Sequence, residues 1–362
     1  MNIGIIDADL LDKGTTFPNL ALMKISSYYK SIGDEVNLVT DYNQVDEYER
    51  IFLSKVFDFT KIPIDLIRHP QIEYDGTGFY YDKASNLFRE IEHIKPDYQL
   101  YNDYIKDQIF KGVGVNKFDN YLKYSIGFTT RGCFRKCKFC VNKKYSKVIK
   151  HSPLSEFIDQ NRKYICLLDD NILAFKDWQP IIEELISLNK PFQFKQGMDI
   201  RLMTVKKSKI LSGAKYRGDY IFAFDNYNKK DSIIRGLLKW RNYNHKNTKM
   251  YVLSGFDYND RYDNEFWTQD IASIFKRIEI LNKFNCLPYI MRHKNYLNSP
   301  YKGMYINLAR WCNQPSFFKK LSFREFCEKH KENSSTMRYM QGFEKDNYEV
   351  SKQFFDMKYE WQ

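Results

Sequence analysis

Residues 129–141 read Thr-Thr-Arg-Gly-Cys-Phe-Arg-Lys-Cys-Lys-Phe-Cys-Val. Cys133, Cys137 and Cys140 are spaced C-x3-C-x2-C, and an apolar run, Tyr124–Phe128, leads straight into them. Thiolates are soft ligands that suit iron–sulfur clusters and zinc. A cubane cluster holds four irons, and three neighbouring cysteines ligate only three of them. The fourth iron is left open to a small-molecule ligand, and that incompleteness is the chemical content of the spacing. A structural zinc site needs a fourth protein ligand, usually from a second paired half. No second C-x2-C pair exists in the sequence; Cys166 or a histidine would have to complete such a site.

Downstream of the cysteine loop the pattern is regular. Apolar runs at Tyr164–Leu168, Phe192–Lys195, Tyr220–Phe224, Met250–Leu253 and Cys286–Met291 alternate with helical patterns such as Trp178–Leu188 and Ile271–Phe284. Strand–helix repeats of this kind build a parallel sheet or a barrel. With Tyr124–Phe128 they make six strands, the number for a partial (β/α)6 barrel over 124–330. Ligands of such a barrel gather at the C-terminal ends of its strands. The sequence puts polar residues there in succession: Asp169, Asp170 and Asn171; Asp199 and Arg201; Asp225; Ser254 and Gly255; then Arg292 and His293. A polar residue after one strand is usually a plain turn residue; the recurrence after successive strands carries the argument.

Upstream, Ile3–Ile6, Glu35–Val39 and Arg50–Phe57 read as strands, and a helical pattern opened by Pro18 ends near Gly33. This β-α-β-β order opens an α/β sheet, a Rossmann-like N-terminal domain over 1–110. Tyr74-Asp75-Gly76-Thr77-Gly78 reads as a turn, Ser85–Ile94 as a short helix, and 97–124 as a connector, with 111–123 as its domain-joining part. Residues 331–362 form a polar and aromatic extension expected to pack on the barrel.

The loop resembles the signature of the radical S-adenosylmethionine (SAM) superfamily. That resemblance implies a 4Fe-4S cluster on Cys133, Cys137 and Cys140, with SAM chelating the open iron. It implies reductive cleavage of SAM to a 5′-deoxyadenosyl radical that abstracts hydrogen from a substrate. Phe139 matches the aromatic residue that lies beside the adenine in this family. Asp169, Asp170 and Asn171 stand where the superfamily contacts the SAM amino group. Arg201 is expected to pair with the SAM carboxylate, Asp199 to accept from a ribose hydroxyl or substrate, and Ser254 and Gly255 to lie in the region whose backbone meets adenine. Asp225 is a further strand-end candidate. Gly132 is expected to let the backbone approach the cluster, and Arg131, Arg135, Lys136 and Lys138 to offset its charge. A one-electron reductant of flavodoxin or ferredoxin type is the implied partner.

Residues 1–110 are similar, loosely, to the cobalamin-binding-like domain found in one subgroup. Members that ligate cobalamin through histidine carry D-x-H-x-x-G after the first strand. Here that region is Asp7-Ala8-Asp9-Leu10-Leu11-Asp12-Lys13-Gly14, without histidine. His-ligated cobalamin is therefore not expected, and binding without a protein ligand stays open.

Composition bounds the rest. The net charge is +12, with 28 Tyr and 28 Phe in 362 residues. The basic residues read as spread along the chain. Charge and aromatics together suggest a nucleic acid or nucleotide substrate, with a peptide or small metabolite as the alternative. A non-catalytic zinc-stabilised nucleic-acid-binding protein is the reading from another class. The seven cysteines form no disulfide framework. Cys166, Cys286, Cys312 and Cys327 read as buried structural thiols. No apolar run is long enough to span a bilayer, and the start lacks the features of a secretory signal, so a cytoplasmic location is expected.

Overall fold

The structure, a computed structural model, describes residues 1–360. Its contacts divide the chain into two compact units. Unit one comprises Met1–Lys136, Cys140–Asp169 and Lys190–Phe192; unit two comprises Cys137–Phe139, Asp170–Asn189 and the chain from Gln193 onward.

Unit one opens with a four-stranded sheet: β1 Asn2–Asp7, β2 Glu35–Leu38, β3 Arg50–Ser54 and β4 Ile72–Asp75, in the order β2-β1-β3-β4. Every pairing is parallel, the Rossmann-like arrangement expected. The helix Leu20–Ser31 is set by Asn19, whose side chain accepts from the N–H groups of Ala21 (3.1 Å) and Leu22 (3.3 Å). Such a cap is worth about 1 kcal/mol.

Three readings of this region change. The stretch around Gly76 is the end of β4 followed by a short helix, Thr77–Tyr80, and not a simple turn. Only Arg89–Glu92 of the expected 85–94 helix is helical. The 97–124 stretch is folded: it forms the helices Asn102–Phe110 and Asp119–Lys123, and Tyr98, Leu100, Tyr101, Ile105, Phe118 and Tyr121 share one buried core with Ile3, Ile5 and Leu22. A further short helix, Ala8–Lys13, follows β1.

All six strands expected downstream are present. In unit one β5, Tyr124–Gly127, pairs in parallel with β6, Tyr164–Leu167. β5 ends at Gly127, a position where a Cβ would stand 2.3 Å from the Phe157 ring. The strand β7, Phe192–Phe194, begins in unit one and ends in unit two. Unit two carries β8 Tyr220–Ala223, β9 Thr248–Ser254 and β10 Cys286–Arg292, side by side and parallel. Met198, just past β7, makes a parallel bridge to Phe222 of β8. Helices Trp178–Ser187, Val205–Ser212, Lys230–Arg241 and Asn264–Lys283 alternate with the strands. This is the strand–helix order of a partial (β/α)6 barrel.

The C-terminal extension contributes Ser335–Asp346 and Tyr348–Phe354. Phe354 and Phe355 pack on Phe275 of the helix Asn264–Lys283 at 5.6 and 5.4 Å between ring centroids. Cys166, Cys286, Cys312 and Cys327 are buried. No helix among the described residues is long and apolar enough to cross a membrane.

Candidate radical SAM site

The cysteine loop starts where β5 stops, and unit one fixes its first residues. Asp169, 2% exposed beyond the end of β6, accepts the N–H and the hydroxyl of Thr129 at 3.0 and 2.5 Å. It also accepts the N–H and hydroxyl of Thr130 at 2.6 and 2.7 Å. Burial pushes this carboxyl up, and the two threonines oppose that shift. The side chain expected to meet the SAM amino group is thus committed to the base of the loop; it is a positioning residue.

Glu92 holds both limbs of the same loop. Thr130–Arg131 pairs antiparallel with Ile149–Lys150, which brings the two limbs together. The Glu92 carboxylate lies 3.3 Å from His151 Nε2, 3.8 Å from Arg131 and 3.1 Å from the buried Lys24 ammonium. Burial works to raise this carboxyl, but the His151 hydrogen bond and the Lys24 and Arg131 charges outweigh it and hold it at about 2. No sequence pattern singled out Glu92.

Gly132 has φ +94°, and a Cβ there would come within 2.5 Å of Lys147 O and of Tyr145 Cβ. It is therefore required by close approach of the returning limb of the loop as well as by backbone conformation.

Cys133, Cys137 and Cys140 are half-buried. Cys133 Sγ accepts the Arg135 N–H at 3.4 Å, and Cys140 Sγ accepts the Asn142 N–H at 3.3 Å. Backbone N–H groups aimed at sulfur favour thiolates and tune iron–sulfur clusters. Among the described residues, no three His, Cys, Asp or Glu side chains are already gathered as a bound metal would require. The donor set itself fits a cluster: three thiols on one short loop, two with N–H donors at the sulfur.

Within unit two the strand ends converge. Asn171 Oδ1 accepts the Asp199 N–H at 3.3 Å. Arg201 forms a two-pronged ion pair with Asp199, at 2.6 Å (Nε) and 2.9 Å (NH2). Burial disfavours the guanidinium charge, but Asp199 raises its pKa, and Cys137 and Asp225 act in the same direction. Arg201 thus meets a carboxylate of its own chain. Asp225, partly buried beyond β8, is pushed up to about 6 by withdrawal from water, against the pull of Arg277. Asp170 is half-buried at the end of the β6 segment.

Phe139 sits edge-on to Phe256 at 5.5 Å and near Tyr258 at 6.4 Å, and Phe256 also packs against His293 at 4.8 Å. The Lys138 ammonium bonds to the Tyr258 carbonyl. Burial, with the charges of Asp225 and Cys137, pushes the Tyr258 phenol up to about 12. Phe256 and Tyr258, the first and third residues after Gly255, thus line an aromatic corner, of which strand-end reasoning did not name Tyr258. Ser254 is buried, its hydroxyl on the Met291 carbonyl at 3.3 Å. Its own carbonyl accepts the His293 N–H at 2.8 Å. The Gly255 N–H goes to Asp270 at 2.7 Å, and Gly255 has φ +71° with Tyr296 behind it. Both residues shape the turn, and these polar groups are satisfied inside the fold.

The centre of this arrangement is Arg277, 1% exposed on the helix Asn264–Lys283. It donates to the carbonyls of Leu253 (2.8 Å), Phe224 (3.1 Å) and Asp225 (3.2 Å), and lies 3.8 Å from Asp270. One guanidinium therefore ties the ends of β8 and β9. Its signal in the sequence was a cation on the apolar face that carries Ile274 and Ile278.

No family model and no curated protein matches the chain. Among solved structures, the radical SAM methyltransferase TsrM from Kitasatospora setae, with cobalamin and a 4Fe-4S cluster bound, is 9% identical at a TM-score of 0.47. That match covers 80% of this chain and 74% of that one. TsrM with tryptophan and a SAM analogue gives 10% and 0.48, covering 80% of this chain and 72% of that one. The cobalamin-dependent SAM radical enzyme OxsB, with aqua-cobalamin and SAM bound, gives 13% and 0.36 over 98% of this chain and 56% of that one. The chain is similar to these proteins, both of which were solved with cobalamin bound.

Proposed function

We propose that the chain is a radical SAM enzyme with domains at 1–110, 124–330 and 331–362. The observation that carries this reading is the three-cysteine loop, anchored by Asp169 directly after β5 and followed by strand-end polar residues and the Phe139 aromatic corner. Cys133, Cys137 and Cys140 would hold a 4Fe-4S cluster with one iron left for SAM. When bound and reduced, such a cluster supplies an electron to cleave the SAM sulfonium. The chain's own residues position and shield. Asp169 and Glu92 fix the two limbs of the cysteine loop. Phe139, Phe256 and Tyr258 offer an apolar wall for an adenine. Asp170, Asn171, Asp199, Arg201 and Asp225 offer the polar groups for the ribose and methionyl ends, with Ser254 and Gly255 shaping the turn beside them.

The substrate reading follows from charge. Asp170, Asp199 and Asp225 stand at the strand ends, and the one arginine among them, Arg201, is already paired with Asp199. Carboxylates repel a polyanion, so this site suits a neutral or cationic group, a peptide or small metabolite, better than a nucleic acid backbone. The test is anaerobic incubation with SAM and dithionite, read as 5′-deoxyadenosine; a colourless zinc protein that leaves SAM intact would establish the zinc-stabilised alternative.

A further inference from the structure

The basic residues are not spread evenly along the chain. Residues 205–246 hold eleven Lys and Arg against three Asp and no Glu, a net of +8 in a chain whose total is +12. This stretch lies wholly within unit two and carries the helices Val205–Ser212 and Lys230–Arg241. The two helices are joined on their inner sides, where the Ser208 hydroxyl donates to the Trp240 carbonyl at 3.0 Å. On the second helix Ile233, Leu237 and Trp240 are buried, and Arg235, Leu238 and Lys239 are exposed; helical spacing puts those three on one side. On the first, Leu211 is buried, and Val205, Lys206 and Lys209 are exposed. The Lys209 ammonium stands 5.0 Å from the centre of the Tyr243 ring, just past the second helix. Lys206, Lys215, Lys229, Arg235 and Lys239 are exposed and make no side-chain hydrogen bond or ion pair among the described residues. Asp231 is the one exposed carboxylate on the stretch.

Like charges left unpaired on one face hold a positive potential that draws an anionic partner. The face is not bare charge: Leu238 is 49% exposed, Val205 43% and Tyr243 38%, and a partner that covers them removes apolar surface from water. Both helices open just past the strand ends of the proposed site. Val205 follows Arg201 by four residues, and Lys230 follows Asp225 by five. An occupant that runs from this face to the site therefore passes from cations to the carboxylates Asp199 and Asp225. We infer that the outward face of these two helices docks an acidic segment of a peptide substrate, whose neutral or cationic residue then reaches the strand ends. This rests on the radical SAM reading above and on a peptide as its substrate. A nucleic acid is the competing polyanion. It carries a phosphate at every residue, so the part that reached Asp199 and Asp225 would meet charge of its own sign. A peptide can be acidic at one end and neutral at the other.

The probe is a rhodamine-labelled peptide of alternating glutamate and leucine, added to the full chain and followed by fluorescence anisotropy. Its binding should weaken about ten-fold in an Arg235→Glu/Lys239→Glu variant, and steeply as salt rises, since such contacts are screened. Lys331→Glu/Lys345→Glu, a reversal of equal charge on exposed lysines near and within the C-terminal extension, should leave binding nearly unchanged. The urea midpoints of both variants should match the parent's. Equal peptide binding by Arg235→Glu/Lys239→Glu and parent, or an equal loss in the two variants, would overturn the inference. So would a parent that binds a single-stranded oligonucleotide more tightly than the peptide at the same salt and loses it in Arg235→Glu/Lys239→Glu, which assigns the face to nucleic acid. A parent that cleaves SAM and does not bind the peptide overturns the docking face alone. A parent that cannot be reconstituted to cleave SAM has failed the radical SAM reading, and the role of the face in docking a substrate falls with it.

Discussion

Asp169 accepts both the N–H and the hydroxyl of Thr129, at 3.0 and 2.5 Å, so one carboxylate fixes the residue at which β5 passes into the cysteine loop. Replacing it by Asn would turn an amide N–H2 toward a backbone donor and leave a buried group unsatisfied. We expect Asp169→Asn to lose about 2–3 kcal/mol of stability, seen in urea unfolding, and to take up less iron on reconstitution than the parent.

Glu92 gives the molecule an acid limb. Its carboxyl is held at about 2, below the ordinary 4.5. A depressed folded-state pKa contributes stability above the unfolded value that is lost as pH falls from about 4.5 toward 2. The contribution is about 2 kcal/mol. Glu92→Gln should be less stable than the parent at pH 7, and the gap should narrow by pH 3. Thermal unfolding across that range measures it; a gap independent of pH would contradict the assignment.

Arg277 is buried with its charge shared between carbonyls and Asp270. Removing one partner of such a set leaves the others uncompensated, at about 3–5 kcal/mol. Arg277→Met should therefore lower the urea midpoint strongly, and Arg277→Lys less so, since an ammonium reaches fewer of the three carbonyls.

Phe139 and Phe256 meet at 5.5 Å as the apolar corner of the proposed SAM site. Loss of one ring from a binding wall costs about 1–2 kcal/mol. Phe139→Ala should weaken SAM binding about ten-fold by calorimetry while leaving the unfolding midpoint nearly unchanged, because Phe139 is only half-buried.

Much of this was legible from residue order. The six downstream strands were readable because each is an apolar run bounded by polar residues, and each lies within a residue or two of its expected place. The N-terminal errors have physical causes. β4, Ile72–Asp75, carries Glu73 and Asp75 as an edge strand of the sheet, so its acidic residues and Gly76 read as a turn. Asn102–Phe110 buries only Ile105, which leaves little periodic signal, and the core it joins is built from residues far apart in sequence. The site was legible as a set of strand ends but not in its internal pairing. Asp169 was read as facing ligand because sequence shows which residues end a strand and not which neighbour claims them; Thr129 and Thr130 are those neighbours. The pairing of Arg201 with Asp199 was hidden for the same reason. Glu92 acts across a long sequence separation that no local pattern marks, and Arg277 is marked only as a cation on an apolar helix face, which does not tell which carbonyls it meets.

The central claim is that Cys133, Cys137 and Cys140 hold a SAM-cleaving cluster. Anaerobic reconstitution of the parent chain and of Cys137→Ala, followed by dithionite and SAM, tests it most directly. The parent should carry about four irons per chain and release 5′-deoxyadenosine, and Cys137→Ala should release none. A parent that binds zinc in place of iron and sulfide, or a Cys137→Ala chain that still cleaves SAM, would contradict it.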